Sequence, residues 1–269
     1  MSFGTSPAIY YGIGTGGAIF TWTPLALFQA GGAGGYYDFS RADTLFANTG
    51  FTVPAVVGGP VQGVLDLSGT GMHLTSSLTT IIRQANYATF PGTANPYSLM
   101  SASVSIPAPN GHTQGCAFRP NSGAVGQGLV ACDYDSACNL PTGSMYIDAS
   151  GVLVKNAFFA GSCATKANVS NPASIVGGTD YAAIGRYRPT LDTSIILNNI
   201  ETVTAHASVT SVCSSTRIGL GAQFYGTTFF QYVPYTGRIY AALHINRILT
   251  DVERTNLNIW LRMKAGLSV

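Results

Sequence analysis

Charge is what this sequence has least of. Asp, Glu, Lys and Arg make up 9% of its 269 residues, against roughly 25% in ordinary soluble proteins. Its 13 basic and 11 acidic residues leave a net charge of +2, with no run of Lys or Arg, so no field exists to draw in nucleic acid. Glutamate is nearly absent: Glu201 and Glu253 are the whole complement. Glycoside hydrolysis needs two carboxylates flanking one bond, and Glu201 lies beside no other acid. No G-x-S-x-G elbow occurs either. The expectation is a chain that is not an enzyme.

Other absences narrow the class further. The five cysteines (Cys116, Cys132, Cys138, Cys163, Cys213) form no CxxC pair and the four histidines stand singly, which removes the zinc patterns. Cys132 and Cys138 bracket a short loop and would suit a disulfide in an oxidising space. The odd count favours five reduced, mostly buried thiols. No basic n-region precedes an apolar stretch, so no signal peptide is expected. The longest Leu/Ile/Phe-rich run, Ala18 to Ala30, is broken by Pro24 and falls short of the ~20 residues of a membrane span. Gly12-Ile13-Gly14-Thr15-Gly16-Gly17 lacks the strand–helix unit of a dinucleotide loop.

What fills the space is Gly, Ser, Thr and Asn, residues that favour turns and short strands. From Tyr36 onward short alternating or β-branched runs recur between turn residues. The pattern predicts strands over 61–67, 98–106, 127–133, 144–148, 152–157, 181–187, 194–197, 217–221 and 237–245. That spacing points to an all-β sandwich or barrel. Two helices are expected. One is short, over 41–48. The other opens on the capping box Thr250-Asp251-Val252-Glu253 and carries an apolar stripe of Val252, Leu257, Trp260 and Leu261, with Met263 at its margin, before Gly266 stops it.

Before Asp38 there is no charge at all. Residues 1–35 read as an extended Gly-rich arm, whose aromatics Tyr10, Tyr11, Phe20, Trp22 and Phe28 would dock on a neighbouring subunit. Ala30 to Gly35 would be its flexible joint. The competing reading gives Ile19 to Phe28 to the first strand. So few charges protect poorly against association, so a homo-oligomer is expected.

Several phrases, in order, resemble a known family. Tyr36-Tyr37-Asp38-Phe39-Ser40 and Asp43-Thr44-Leu45-Phe46 resemble the opening of the laminin G-like domains of bacteriophage and prophage structural proteins. Gly59-Pro60-Val61-Gln62-Gly63-Val64 and Asp66-Leu67-Ser68-Gly69-Thr70-Gly71-Met72-His73 are similar to the phrases that follow there. Ile195-Ile196-Leu197-Asn198-Asn199 and Tyr235-Thr236-Gly237-Arg238-Ile239-Tyr240 resemble the closing ones. Met72 departs from the family's usual Asn, and Ala85–Ser101 and Gly115–Thr165 match no family phrase. The resemblance implies an antiparallel jelly-roll sandwich of concanavalin A-like type over residues 36–269. It also implies a structural role in a tailed-phage virion, as a decoration, fibre or tail-associated subunit anchored to other virion proteins by the arm, with a trimer as the family's habit. The alternative is a module that binds a cell-surface glycan or host receptor.

Three clusters are candidate sites. Asp66, Ser68, Gly69, Gly71 and His73 have the composition of a structural turn closed by its own side chains. Tyr225, Phe229, Phe230 and Tyr232 form an aromatic run on which a sugar's C–H face would stack, or which a neighbour would cover. Asp133 and Asp135, an i, i+2 pair, offer with Asn139 hard oxygen ligands for Ca²⁺; the other reading is solvated loop acids. No other cofactor is implied.

Overall fold

The computed structural model describes residues 20–77, 79–92, 99–102, 111–123, 126–135, 140–159, 162–205, 217–222, 224–225, 230–231 and 234–269. It is an antiparallel jelly-roll β-sandwich with helices on one side. Among the described residues the first sheet has eight strands, running Ile200–Ala205, Asp192–Leu197, Tyr181–Arg188, His112–Pro120, Thr236–Ile245, Ala88–Pro91, Ile82–Arg83. Its eighth strand, Gly34–Asp38, pairs with the second half of Thr236–Ile245, while Ala88–Pro91 pairs with the first half of the same edge. The second sheet has nine, in the order Ser162–Ser174, Val152–Phe159, Leu140–Ile147, Gln127–Asp135, Ile218–Leu220, Leu99–Ser101, Leu74–Thr75, Gly63–Val64, Leu45–Phe46.

Alternation within each strand decides what lies between the sheets. Leu45, Val64 and Leu74 are directly opposite one another along the second sheet and point into the main core, where they meet Tyr37, Phe118 and Ile239 of the first. The next row, Phe46, Gly63, Thr75, Met100 and Gly219, is therefore on the outer face.

A second core covers the other side of the first sheet. Leu257, Trp260 and Leu261 of the helix Asp251–Lys264 pack there with Ile184, Leu243 and Ile245. The capping box is present: Thr250 Oγ1 accepts the Glu253 N–H at 3.2 Å, and the Glu253 carboxylate accepts the Thr250 N–H at 2.9 Å. Val252 does not belong to the stripe. It is 71% exposed, because at about 100° per residue it lies roughly 130° round the helix from the centre of the buried trio.

The N-terminal region differs most from expectation. Leu25–Gln29 is a short helix, not a strand, and its Leu27 and Phe28 are buried in the second core. Arg247 donates to the Leu27 carbonyl at 2.9 Å, and Ala33 exchanges hydrogen bonds with Asn246 at 2.8 and 2.9 Å. Residues 25–35, read from the sequence as arm and joint, thus belong to the sandwich. The glycines there serve close approach: a Cβ on Gly34, at φ +139°, would collide with the His244 carbonyl. The expected helix over 41–48 is one 3-10 turn, Ala42–Thr44, followed by the strand Leu45–Phe46. Burial of Leu45 opposite Val64 overrides local helix formation. No helix among the described residues is long and apolar enough to cross a membrane.

Candidate functional site

Among the described residues the turn most organised by side chains is 66–73. Asp66, 8% exposed, accepts the N–H groups of Tyr36 at 3.0 Å, Ser68 at 2.9 Å and Met72 at 3.2 Å. It also accepts the hydroxyls of Ser68 at 2.6 Å and Thr70 at 3.0 Å. The Gly34 carbonyl is a second acceptor within reach of both hydroxyls, each of whose single proton goes to one acceptor at a time. Gly69 and Gly71 take φ of 85° and 81°, the left-handed conformations this tight path needs. From beneath, the Tyr37 hydroxyl donates to the Met72 carbonyl at 2.6 Å. Burial, and secondarily the Asp66 charge, push the Tyr37 hydroxyl well above its ordinary pKa, so it stays a donor. The turn docks the first strand through the Tyr36 N–H, the Tyr37 hydroxyl and the Gly34 carbonyl.

It also aims a functional group. Asp66 N–H donates to His73 Nδ1 at 3.0 Å, which makes Nδ1 the acceptor and leaves the proton of a neutral imidazole on Nε2. His73 lies against Phe51, with ring centroids 5.4 Å apart and planes at 58°. Phe51 is held in a left-handed backbone conformation, φ 54°, uncommon for a bulky residue. The Asn48 side chain holds it there by accepting the Thr52 and Val53 N–H groups at 3.1 and 3.0 Å. The ring has room because Gly63 lies beneath it, where a Cβ would come within 2.9 Å of the ring and 2.8 Å of the Asn48 carbonyl. Phe46 closes the far side, edge-on at 5.7 Å.

Phe51, Gly71 and His73 form one wall of an open groove of about 390 Å³ on the outer face of the second sheet, continued by Thr75, Met100, Ser101, Ala102 and Arg217. The floor is the outer row of the sheet, with Thr75 opposite Met100 and Met100 opposite Gly219. Ser101 Oγ accepts the Ile218 N–H at 2.9 Å, fixing the strand that follows Arg217. Among the described residues both helices lie on the opposite side of the molecule, so this face is uncovered by them. The groove presents an aromatic ring, a thioether, the Thr75 hydroxyl, an imidazole donor and a guanidinium.

Other expected sites fall elsewhere. Tyr225 and Phe230 pair as neighbours in the two-stranded hairpin Phe224–Tyr225 and Phe230–Gln231, which lies near Gln127–Asp135 and Leu140–Ile147. Phe229 and Tyr232 lie outside the described residues. Asp133 and Asp135 are described as backbone only, within the strand Gln127–Asp135, and Asn139 and Cys138 lie outside. Among the described residues no three His, Cys, Asp or Glu side chains are grouped to hold a metal. Phe20 and Trp22 pack on the second core with rings 6.3 Å apart, and Tyr10 and Tyr11 lie outside. Both glutamates are ion-paired: Glu201 with Arg186 at 3.3 Å and Arg254 at 2.5 Å, Glu253 with Arg247 at 2.7 Å. Of the groove residues, reasoning from the sequence singled out Gly71 and His73 as structural and missed Phe51, Thr75, Met100 and Arg217.

No protein-family model matches the chain, and no curated protein is detectably similar in sequence. Solved structures are similar in fold. The Trypanosoma rangeli sialidase in complex with sialic acid superposes with TM-score 0.58 at 12% identity, over 87% of this chain and 34% of that one. The botulinum neurotoxin serotype G binding domain gives 0.55 at 8% identity, over 75% and 48%. The binding domain of botulinum neurotoxin DC in complex with SialylT gives 0.52 at 12%, over 84% and 52%. The chain thus spans about half the length of the toxin domains and a third of the sialidase. The likeness is one of fold: a two-sheet antiparallel jelly-roll β-sandwich.

Proposed function

We propose that this chain is a non-enzymatic carbohydrate-binding module whose saccharide site is the groove on the outer face of the second sheet. The observation that carries the reading is Phe51, an aromatic ring held at φ 54° against His73 at the wall of a groove. Unusual backbone conformations persist where the surrounding structure over-determines them, often at binding sites. A sugar offers an apolar C–H face to a ring and hydroxyls to polar groups, and this groove supplies both kinds of surface. Two structures of similar fold, a sialidase in complex with sialic acid and a neurotoxin binding domain in complex with SialylT, support the reading. Commitment of both glutamates to arginines argues against a hydrolase.

A glycan array followed by calorimetric titration of the whole chain tests it. Phe51→Ala should weaken the best ligand about 10-fold, roughly 1.4 kcal/mol, without changing the unfolding transition by more than the lost ring contacts. No glycan bound above background would overturn the proposal.

A second reading places the module on a tailed-phage particle, as a homo-oligomer attached through residues preceding 20. The ordered phrases from Tyr36 to Tyr240 favour it, and it is compatible with glycan recognition. Immunogold labelling of particles released by the source cells tests it, and particles bearing no gold would count against it.

A further inference from the structure

We infer that the saccharide taken by this groove is an acidic one, its carboxylate held between Arg217 and His73; the inference rests on the carbohydrate-binding reading above. Register places the two groups. Leu74 is opposite Ser101, so continuing the ladder by one residue puts His73 opposite Ala102. Gly219 is opposite Met100, so Arg217 flanks Ala102 from the other side. His73, Ala102 and Arg217 thus occupy one row on three adjacent strands and all line the groove. Two strand spacings separate the outer pair, roughly 10 Å between backbones. The small Ala102 side chain between them leaves a slot with a donor on each flank.

The slot is rich in donors and poor in acceptors. His73 offers Nε2–H, because Asp66 N–H occupies Nδ1. Arg217 has five N–H donors in a planar fork that suits a carboxylate, enough to serve a ligand alongside its contacts within the protein. No carboxylate or side-chain amide lines the groove among the described residues. Among the described residues a neutral sugar's hydroxyl protons would find one side-chain hydroxyl on the groove floor, that of Thr75, because Ser101 is opposite the inward-facing Leu74 and its Oγ accepts the Ile218 N–H. An anionic group that only accepts hydrogen bonds, beside a C–H face for Phe51, satisfies the lining better than a polyol does.

The test is titration of the full chain with matched acidic and neutral sugars. The pairs are methyl β-glucuronide with methyl β-glucoside, and sialyllactose with lactose, so that hexuronate and nonulosonate carboxylates are distinguished. At least one acid should bind about 10- to 100-fold tighter than its neutral partner, as expected of a charge-assisted contact, with affinity falling as salt rises. Arg217→Met should bring the ratio of acidic to neutral affinity down towards one, a selective change that a general loss of groove shape or folding would not produce. Arg217→Lys, which keeps the charge but loses the fork, should restore part of the preference. Equal binding of acidic and neutral forms, or an acidic preference that survives Arg217→Met, would overturn the inference and leave the carbohydrate reading standing. Binding of neither form of either sugar, with neutral glycans bound elsewhere on an array, would also overturn it; binding of no glycan at all would remove both.

Discussion

Lys264, the last residue of the C-terminal helix, reaches Asp38, the last residue of the first strand, at 2.6 Å, with both side chains almost wholly buried. Asp38 also accepts the Ser40 N–H at 3.0 Å and its hydroxyl at 2.7 Å, and Lys264 donates to Ser40 Oγ at 2.9 Å while lying 5.5 Å from the Trp260 ring centre. The two ends of the sandwich are closed on one charge pair. Lys264→Met leaves the carboxylate buried without its cation and should cost about 3–5 kcal/mol in denaturant unfolding. Adding Asp38→Asn should recover much of that loss. A single variant that unfolds like the parent would show that the pair is solvated in solution.

Asp66 should tolerate no substitution, not even the isosteric one. Both of its oxygens accept from N–H or O–H donors. Asp66→Asn replaces one acceptor oxygen by a donor facing donors, so it should approach Asp66→Ala, each losing about 3 kcal/mol or more by denaturant titration. Recovery of full stability by the amide would mean that one oxygen carries the whole network.

Gly63→Ala separates the groove from the fold. The new Cβ would press on the Phe51 ring from 2.9 Å, displacing the one aromatic ring that lines the groove among the described residues. We expect a modest stability cost of about 1–3 kcal/mol and a loss of saccharide affinity comparable to that of Phe51→Ala. Unchanged affinity in titration would move the sugar platform away from Phe51.

Acid stability should depend on Glu253. The Arg247 guanidinium, helped by the Thr250 N–H and opposed by partial burial, lowers the Glu253 carboxyl from 4.5 to about 2. A depressed folded-state pKa gives stability that is fully present above the unfolded value and lost as pH falls through the folded one. Its contribution should therefore fade between pH 4.5 and 2. Glu253→Gln should lower stability at pH 7 and flatten that part of the profile, measured as unfolding midpoint against pH. Parallel profiles for parent and variant would contradict the assignment.

Much of the sandwich was legible in the sequence. Tyr181–Arg188, Val152–Phe159 and Thr236–Ile245 carry β-branched or aromatic residues bounded by turn formers, and each was read within a residue or two. His112–Pro120 was missed although it lies in the middle of the first sheet. It buries His112 and Gln114 where alternation would place apolar side chains, so its pattern matches no strand template. Ser162–Ser174, rich in Ser, Ala and Asn, hides because it has only Thr165 and Val169 as β-branched residues and no aromatic. The N-terminal segment was misread because its glycines were taken for flexibility, whereas they permit contact with a strand more than two hundred residues away.

The sequence by itself determined what is settled within a few residues: the capped helix at Thr250, the carboxylate-centred turn from Asp66 to His73, and the alternation of the longer strands. Those depend on local hydrogen bonds and on side-chain periodicity, which any short window contains. Only the tertiary structure decided that Gly34–Asp38 shares an edge with Ala88–Pro91 and that Phe51, His73 and Arg217 line one groove. Both depend on strand register across the whole chain, where a slip of one residue would turn every side chain to the opposite face.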